Sequence, residues 1–126
     1  MWDLPKEPCS WATAGYMGAI STGQTTCGLL IGCSIALGLQ CGNGKAGVPE
    51  EHASDRDTAI EAVESLYRDF LKRFGSTDCR TLSVCDYSNS EDIARRVQNE
   101  EWKDTCDIFL KFVMTKCIEM AQENRI

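Results

Sequence analysis

The stretch Ser54-Asp55-Arg56-Asp57-Thr58-Ala59-Ile60-Glu61-Ala62-Val63-Glu64-Ser65-Leu66-Tyr67-Arg68-Asp69-Phe70-Leu71-Lys72-Arg73-Phe74-Gly75 decides the fold class. Ile60, Val63, Tyr67, Phe70 and Phe74, flanked by Leu66 and Leu71, recur at i, i+3, i+4 spacing, the period of one buried helix face. Ser54 or Asp55 serves as the N-cap and Gly75 as the C-terminal stop. No segment elsewhere alternates with the period of two that a strand requires.

Working outward gives four more helices. On the N-terminal side, Ser10 or Cys9 opens a helix of small residues to about Ile20, and Ser21–Gln24 is a turn broken at Gly23. Thr25 or Thr26 then caps a helix from Cys27 to about Gln40, ended by Gly42, Asn43 and Gly44. On the C-terminal side, Ser76–Ser88 reads as irregular and Ser90 with Asp92 starts a short helix to Val97. The last helix runs from about Glu101 to Glu123, with Trp102, Cys106, Phe109, Val113, Cys117 and Met120 on one face. The expectation is an all-α protein, a compact bundle of about five helices with a small-residue, uncharged N-terminal helical hairpin in its core. Residues 1–126 are expected to form a single cysteine-rich helical redox domain, with 1–8 a tail and 43–54 a loop.

Eight cysteines occur in 126 residues, none in a CxxC pair. Cys9, Cys27, Cys33 and Cys41 lie in a stretch, Cys9–Gly44, without a charged residue; Cys79, Cys85, Cys106 and Cys117 lie in the charged remainder. The N-terminus lacks the basic and apolar regions of a secretory signal, so the expected compartment is the reducing cytoplasm. There, thiols serve metal binding or redox chemistry more often than a disulfide framework. The most apolar run, Cys27–Leu39, is 13 residues, short of the roughly 20 that a spanning helix needs. A net charge of −6 opposes binding to nucleic acid.

Cys27 stands in the first turn of a helix, where unpaired N–H groups and the helix dipole favour a thiolate. Gly28 behind it leaves room for a bulky cofactor, and with Gly32 and Ala36, every four residues, it makes a close-packing groove that another helix or a bulky group can approach. Glycine in a helix interior costs about 1 kcal/mol against alanine, so two imply a packing reason. Cys79 sits in a polar loop beside Arg80, a cation that would lower its pKa, and Cys85 is six residues on. Cys106 is held on the inner face of the last helix. Cys33, Cys41 and Cys117 read as packing residues, and His52 as a solvated loop residue without the second histidine that a Cys–His hydrolase would want. No phosphate-cradling GxxxxGK[ST] order is present.

The run Cys27-Gly28-Leu29-Leu30-Ile31-Gly32, continuing to Leu39, resembles the CGAxxG signature of a family of small redox-active bacterial and archaeal proteins defined by four cysteines, the C_GCAxxG_C_C type, with Leu29 in place of the alanine. Phe74–Leu82 is similar to the segment after that family's central helix, and Cys106 falls at its C-terminal cysteine. The resemblance extends over residues 9–121 and reaches the non-haem part of split-Soret cytochrome c, whose haem motifs are absent here. It implies an iron–sulfur cluster on Cys27, Cys79 and Cys106, with Cys85 or Cys9 completing the set.

The leading expectation is therefore an iron–sulfur electron carrier or accessory redox subunit rather than an enzyme, working with a redox protein partner or larger complex; a homodimer is the other assembly considered. The rivals are a metal-free dithiol protein and a structural or docking subunit with zinc or buried thiols.

Overall fold

A computed structural model describes residues 2–126. Among them are seven α-helices: α1 (Lys6–Ala14), α2 (Tyr16–Ile20), α3 (Gly28–Cys41), α4 (Ala53–Phe74), α5 (Cys79–Ser83), α6 (Ser90–Gln98) and α7 (Cys106–Gln122). Two 3₁₀ turns, Pro49–Glu51 and Glu101–Asp104, precede α4 and α7. The protein is all-α, and the only β pairing among the described residues is an isolated antiparallel bridge between Thr26 and Asp78.

The core lies where α3, α4 and α7 meet. α3 contributes Leu30 and Leu37, α4 Ala62, Leu66 and Phe70, and α7 Phe109, Val113, Cys117 and Met120. Phe74 packs tilted on Phe70 at 4.7 Å and edge-on to Phe109 and Phe112, with centroids 4.8 and 5.2 Å away. Each fully buried Leu or Phe contributes roughly 1.5–3 kcal/mol by leaving water, so these few side chains are the main cohesive term. α4 ends as its sequence dictates: Gly75 is left-handed (φ 77°) and its N–H reaches Leu71 O at 2.8 Å.

Several boundaries differ from the sequence reading. The first helix begins earlier, at Lys6, so residues 1–8 are not simply a tail, and Trp2 packs on the core. It is interrupted at Gly15, and neither α1 nor α2 has a buried residue. Only the second arm of the N-terminal hairpin, α3, is central; Ala12, Ala14, Gly18 and Ala19 have too little apolar surface to draw the first arm in. Within α4, Ile60 and Leu71 stay about half exposed, because α3 and α7 cover the Leu66–Phe70 side. The segment 76–88 contains α5, and the last helix is broken at Thr105 (φ −129°, ψ −87°). Loop 43–54 holds a 3₁₀ turn, and His52 Nε2 lies 2.7 Å from Ala46 O. None of the helices is long and apolar enough to cross a membrane among the described residues.

One turn has no tolerance for a side chain. Gly23 has φ 72°, and a Cβ there would fall 2.5 Å from Asp86 Oδ1, so glycine lets the α2–α3 turn meet the loop after α5.

In urea unfolding, Phe70→Ala should cost about 3–5 kcal/mol as a large core deletion, whereas Leu71→Ala should cost less than about 1 kcal/mol. Equal losses would contradict this assignment of the core.

Candidate redox centre

Two chain segments distant in sequence are tied together by a reciprocal pair of backbone hydrogen bonds. Cys27 N–H donates to Thr77 O at 2.7 Å, and Cys79 N–H donates to Thr25 O at 2.8 Å. Tyr16 on α2 braces the pairing: its hydroxyl donates to Thr26 O at 2.6 Å and accepts from Thr25 Oγ1. Each segment then turns into a helix. Cys27 is the N-cap of α3, a place expected for Thr25 or Thr26, and Cys79 is the first residue of α5. Asp78 caps α5, with Oδ2 accepting from Thr81 N–H at 2.8 Å and Thr81 Oγ1 at 2.7 Å. The break at Thr105 makes Cys106 the first residue of α7.

The three sulfurs share one electrostatic environment. Burial pushes the Cys27 thiol up, the N–H groups of Leu29 and Leu30 pull it down by less, and the charge of Cys106 adds to the rise. Cys79 is pushed up to about 11, first by burial and then by the charges of Cys27 and Cys106. Desolvation and like-charge repulsion thus keep both as thiols when alone. This corrects two expectations. The helix start does not by itself make Cys27 a thiolate, because burial outweighs the backbone donors. Nor does Arg80 lower Cys79: its guanidinium is turned to Asp86, 3.2 Å away.

A residue that sequence reasoning missed stands beside Cys106. Arg96, only 4% exposed, projects from α6. Its Nη2 donates to Cys106 Sγ at 3.0 Å and to Thr105 Oγ1 at 2.9 Å, and its Nη1 to Ser83 O at 3.0 Å. Burial works against the charged guanidinium, yet Cys106 and Tyr87 more than offset it and its pKa is raised. Its carbon sits 5.9 Å from the centre of the Tyr87 ring. Tyr87 in turn is pushed up by burial, is pulled down by Arg96, and feels the charges of Cys106, Cys85 and Cys79. In the sequence nothing separates Arg96 from its neighbour Arg95 as a surface charge. Only Arg95 is one, since it bonds Asp92 and Glu101 at the surface.

The other candidates are placed differently. Cys85 is buried, 1% exposed, and the charges around it are Arg96, Asp92, Arg95 and Glu101 rather than another cysteine. Cys9 is half-buried on α1, and Thr13 Oγ1 donates to its carbonyl; neither Cys27 nor Cys79 feels its charge. Cys41 is raised by burial and then by Asp55. The glycines give close approach to another helix in one case. A Cβ at Gly28 would lie 3.3 Å from Ile20 Cδ1 and 3.7 Å from Tyr16 Cε1, so this glycine admits α2 rather than a cofactor. A Cβ at Gly32 would meet nothing within 4 Å; that position opens on a groove bordered by Met17 and Ile20.

Among the described residues, no three His, Cys, Asp or Glu side chains are gathered closely enough to hold a single metal ion. Cys27 and Cys79 feel the charge of Cys106, and Cys79 that of Cys27, without the three forming such a group. The donor set is soft, three thiols, with Arg96 beside it. It suits a thiophilic group of net negative charge and is one ligand short of the four cysteines that iron–sulfur clusters commonly use.

No curated protein and no solved structure matches the chain. A family model does, described as "Putative redox-active protein (C_GCAxxG_C_C)", and it covers residues 1–120. With its sulfur-bearing helix starts lying inside that matched region, the chain belongs to this family of redox-active proteins.

Proposed function

We propose that this chain is an electron carrier, or an accessory subunit of a larger redox assembly, that binds an iron–sulfur cluster through Cys27, Cys79 and Cys106. The observation that supports this reading is the backbone pairing that sets Cys27 and Cys79 at neighbouring helix starts, with Cys106 at a third and bonded to buried Arg96. A bound cluster would supply one-electron exchange there. The polypeptide's part is to hold three sulfurs at helix starts, to keep water from Cys27 by burial, and to balance thiolate charge at Cys106 with Arg96. The backbone N–H groups that open α3 lower the Cys27 thiol without a side-chain cap bond to it, and by favouring the more reduced, more negative state they would raise the potential. Cys85 or Cys9 would complete the set, and of the two only Cys85 lies on the same C-terminal side of the chain as Cys79 and Cys106. A site of unpaired thiols suits the reducing cytoplasm.

The metal-free dithiol reading is less well supported. A nucleophilic cysteine works as its thiolate, and burial holds Cys27 and Cys79 in the thiol form. A positive metal centre reverses that preference and releases the protons.

The partner favoured is a second copy of the chain, docked through the uncharged N-terminal face. The protein exposes 8093 Å² at 14.0 kDa, whereas a folded monomer of that mass exposes about 6,700 Å². The excess is larger than the roughly 800 Å² per partner of a standard interface. Trp11 and Met17 are 81% and 65% exposed there, and a face without charges carries no like-charge penalty against itself.

Anaerobic reconstitution with ferrous iron and sulfide should give a brown protein with stoichiometric iron and labile sulfide. Cys27→Ser, Cys79→Ser and Cys106→Ser should each lower bound iron at least about tenfold, and Cys41→Ser should leave it unchanged. A colourless wild type, or colour indifferent to all three substitutions, would refute the proposal.

The pH dependence of the metal-free protein follows from Cys79, raised from its ordinary 9.0 to about 11. The folded state holds this proton more tightly than the unfolded chain, so the stability it contributes is complete below pH 9 and is lost as pH rises toward 11. Thermal melts should show that loss, and Cys79→Ser should reduce it; equal slopes in both proteins would contradict the assignment.

Light scattering of the full chain should give a dimer mass, shifted to the monomer by Trp11→Glu. A wild type that stays monomeric at high concentration would rule out the self-docked face.

A further inference from the structure

The loop between α3 and α4 borders a space that its own side chains do not fill. Gly38 and Gly42 at the end of α3, Val48 and Pro49 of the loop, and Ala59 and Ile60 on α4 line a cavity of about 280 Å³. Val48 and Ile60 are apolar, yet each stays about half exposed. Gly38 leaves part of the wall bare, since a Cβ there would meet nothing within 4 Å. Packing into this space is therefore not what shapes the loop. Polar contacts fasten it instead: Lys45 N–H donates to Gly42 O at 3.0 Å, Val48 N–H donates to Glu51 Oε2 at 3.2 Å, and His52 Nε2 lies 2.7 Å from Ala46 O. The cavity stands open before anything enters it, as preformed, mostly apolar small-molecule sites do.

The charges at the cavity select the sign of a ligand. In a chain of net charge −6, this lining carries Lys45 and Arg56 against a single carboxylate, Asp55. Lys45 Nζ is engaged by Asp55 Oδ2, 3.2 Å away. Arg56 has no ion pair among the described residues. A guanidinium offers a planar fork of donors that matches a carboxylate. Size narrows the ligand further: an apolar cavity of about 150 Å³ takes up benzene, so this one has room for a fused pair of rings. We propose that the cavity is a binding site for a small aromatic carboxylate, its rings against the apolar wall from Gly38 to Ile60 and its carboxylate on Arg56. Binding makes and breaks no covalent bond. The site is separate from the sulfur centre, with Gly38 about 16 Å along the helix from Cys27, and it does not rest on the iron–sulfur reading.

The test titrates 2-naphthoate into the full metal-free chain at low salt and follows the backbone amides by NMR. Saturable shifts are expected at Gly38, Gly42, Val48 and Ala59. 2-Naphthylmethylamine, of similar size and opposite charge, should bind at least about tenfold more weakly, and Arg56→Gln should weaken naphthoate binding by about the same factor. Gly38→Leu, which puts a side chain into the empty space, should abolish the shifts while the rest of the spectrum stays in place. The comparison of the two ligands on the wild type decides the matter if a variant fails to fold. Absence of saturable shifts, shifts confined to residues away from the cavity, an amine that binds as tightly as the carboxylate, or undiminished binding to a folded Gly38→Leu protein would overturn the proposal. Failure of iron binding would leave this titration unchanged, so the two readings fail separately.

Discussion

The pair of hydrogen bonds that clasps Thr25–Cys27 to Thr77–Cys79 is the constraint on which the sulfur centre depends. Helices alone cannot set the distance between cysteines 52 positions apart, since loops of this length are easily closed in many ways. Two backbone bonds made in opposite directions fix both position and register. Each segment leaves the clasp directly into a helix, so the sulfurs are set by backbone geometry rather than by flexible loops. Tyr16 and Gly23 serve the same junction, one by bonding across it and the other by letting the Asp86 loop approach.

Around that clasp the protein balances opposing electrostatic effects. Burial and mutual repulsion raise the thiols of Cys27 and Cys79, while the helix-start N–H groups and Arg96 favour negative sulfur. Without a further positive charge, burial prevails at Cys27 and Cys79. Arg96 is itself a buried ion and would be costly without partners; Ser83 O, Thr105 Oγ1 and Cys106 Sγ supply them. The guanidinium thereby links the ends of α5 and α6 to the start of α7.

Legibility from the sequence followed the range of each interaction. The α4 helix, its glycine stop and the inward face of α7 are local, periodic features, and both helices appear close to where the pattern puts them. Cys27, Cys79 and Cys106 could be singled out by motif and helix position. The Thr26–Asp78 bridge, the break at Thr105 and the burial of Arg96 could not, because none leaves a periodic trace. The failed expectations share one cause: the sign of a pKa shift and the company of a glycine are set by neighbours far along the chain.

X-ray absorption at the iron edge of the reconstituted protein tests the central claim most directly, because it reads the ligands of the metal itself. The account predicts iron surrounded by sulfur, with iron–iron scattering from a cluster, and loss of that signal when Cys27, Cys79 or Cys106 is replaced by serine. Iron bound only through oxygen and nitrogen, without iron–iron scattering, would contradict it.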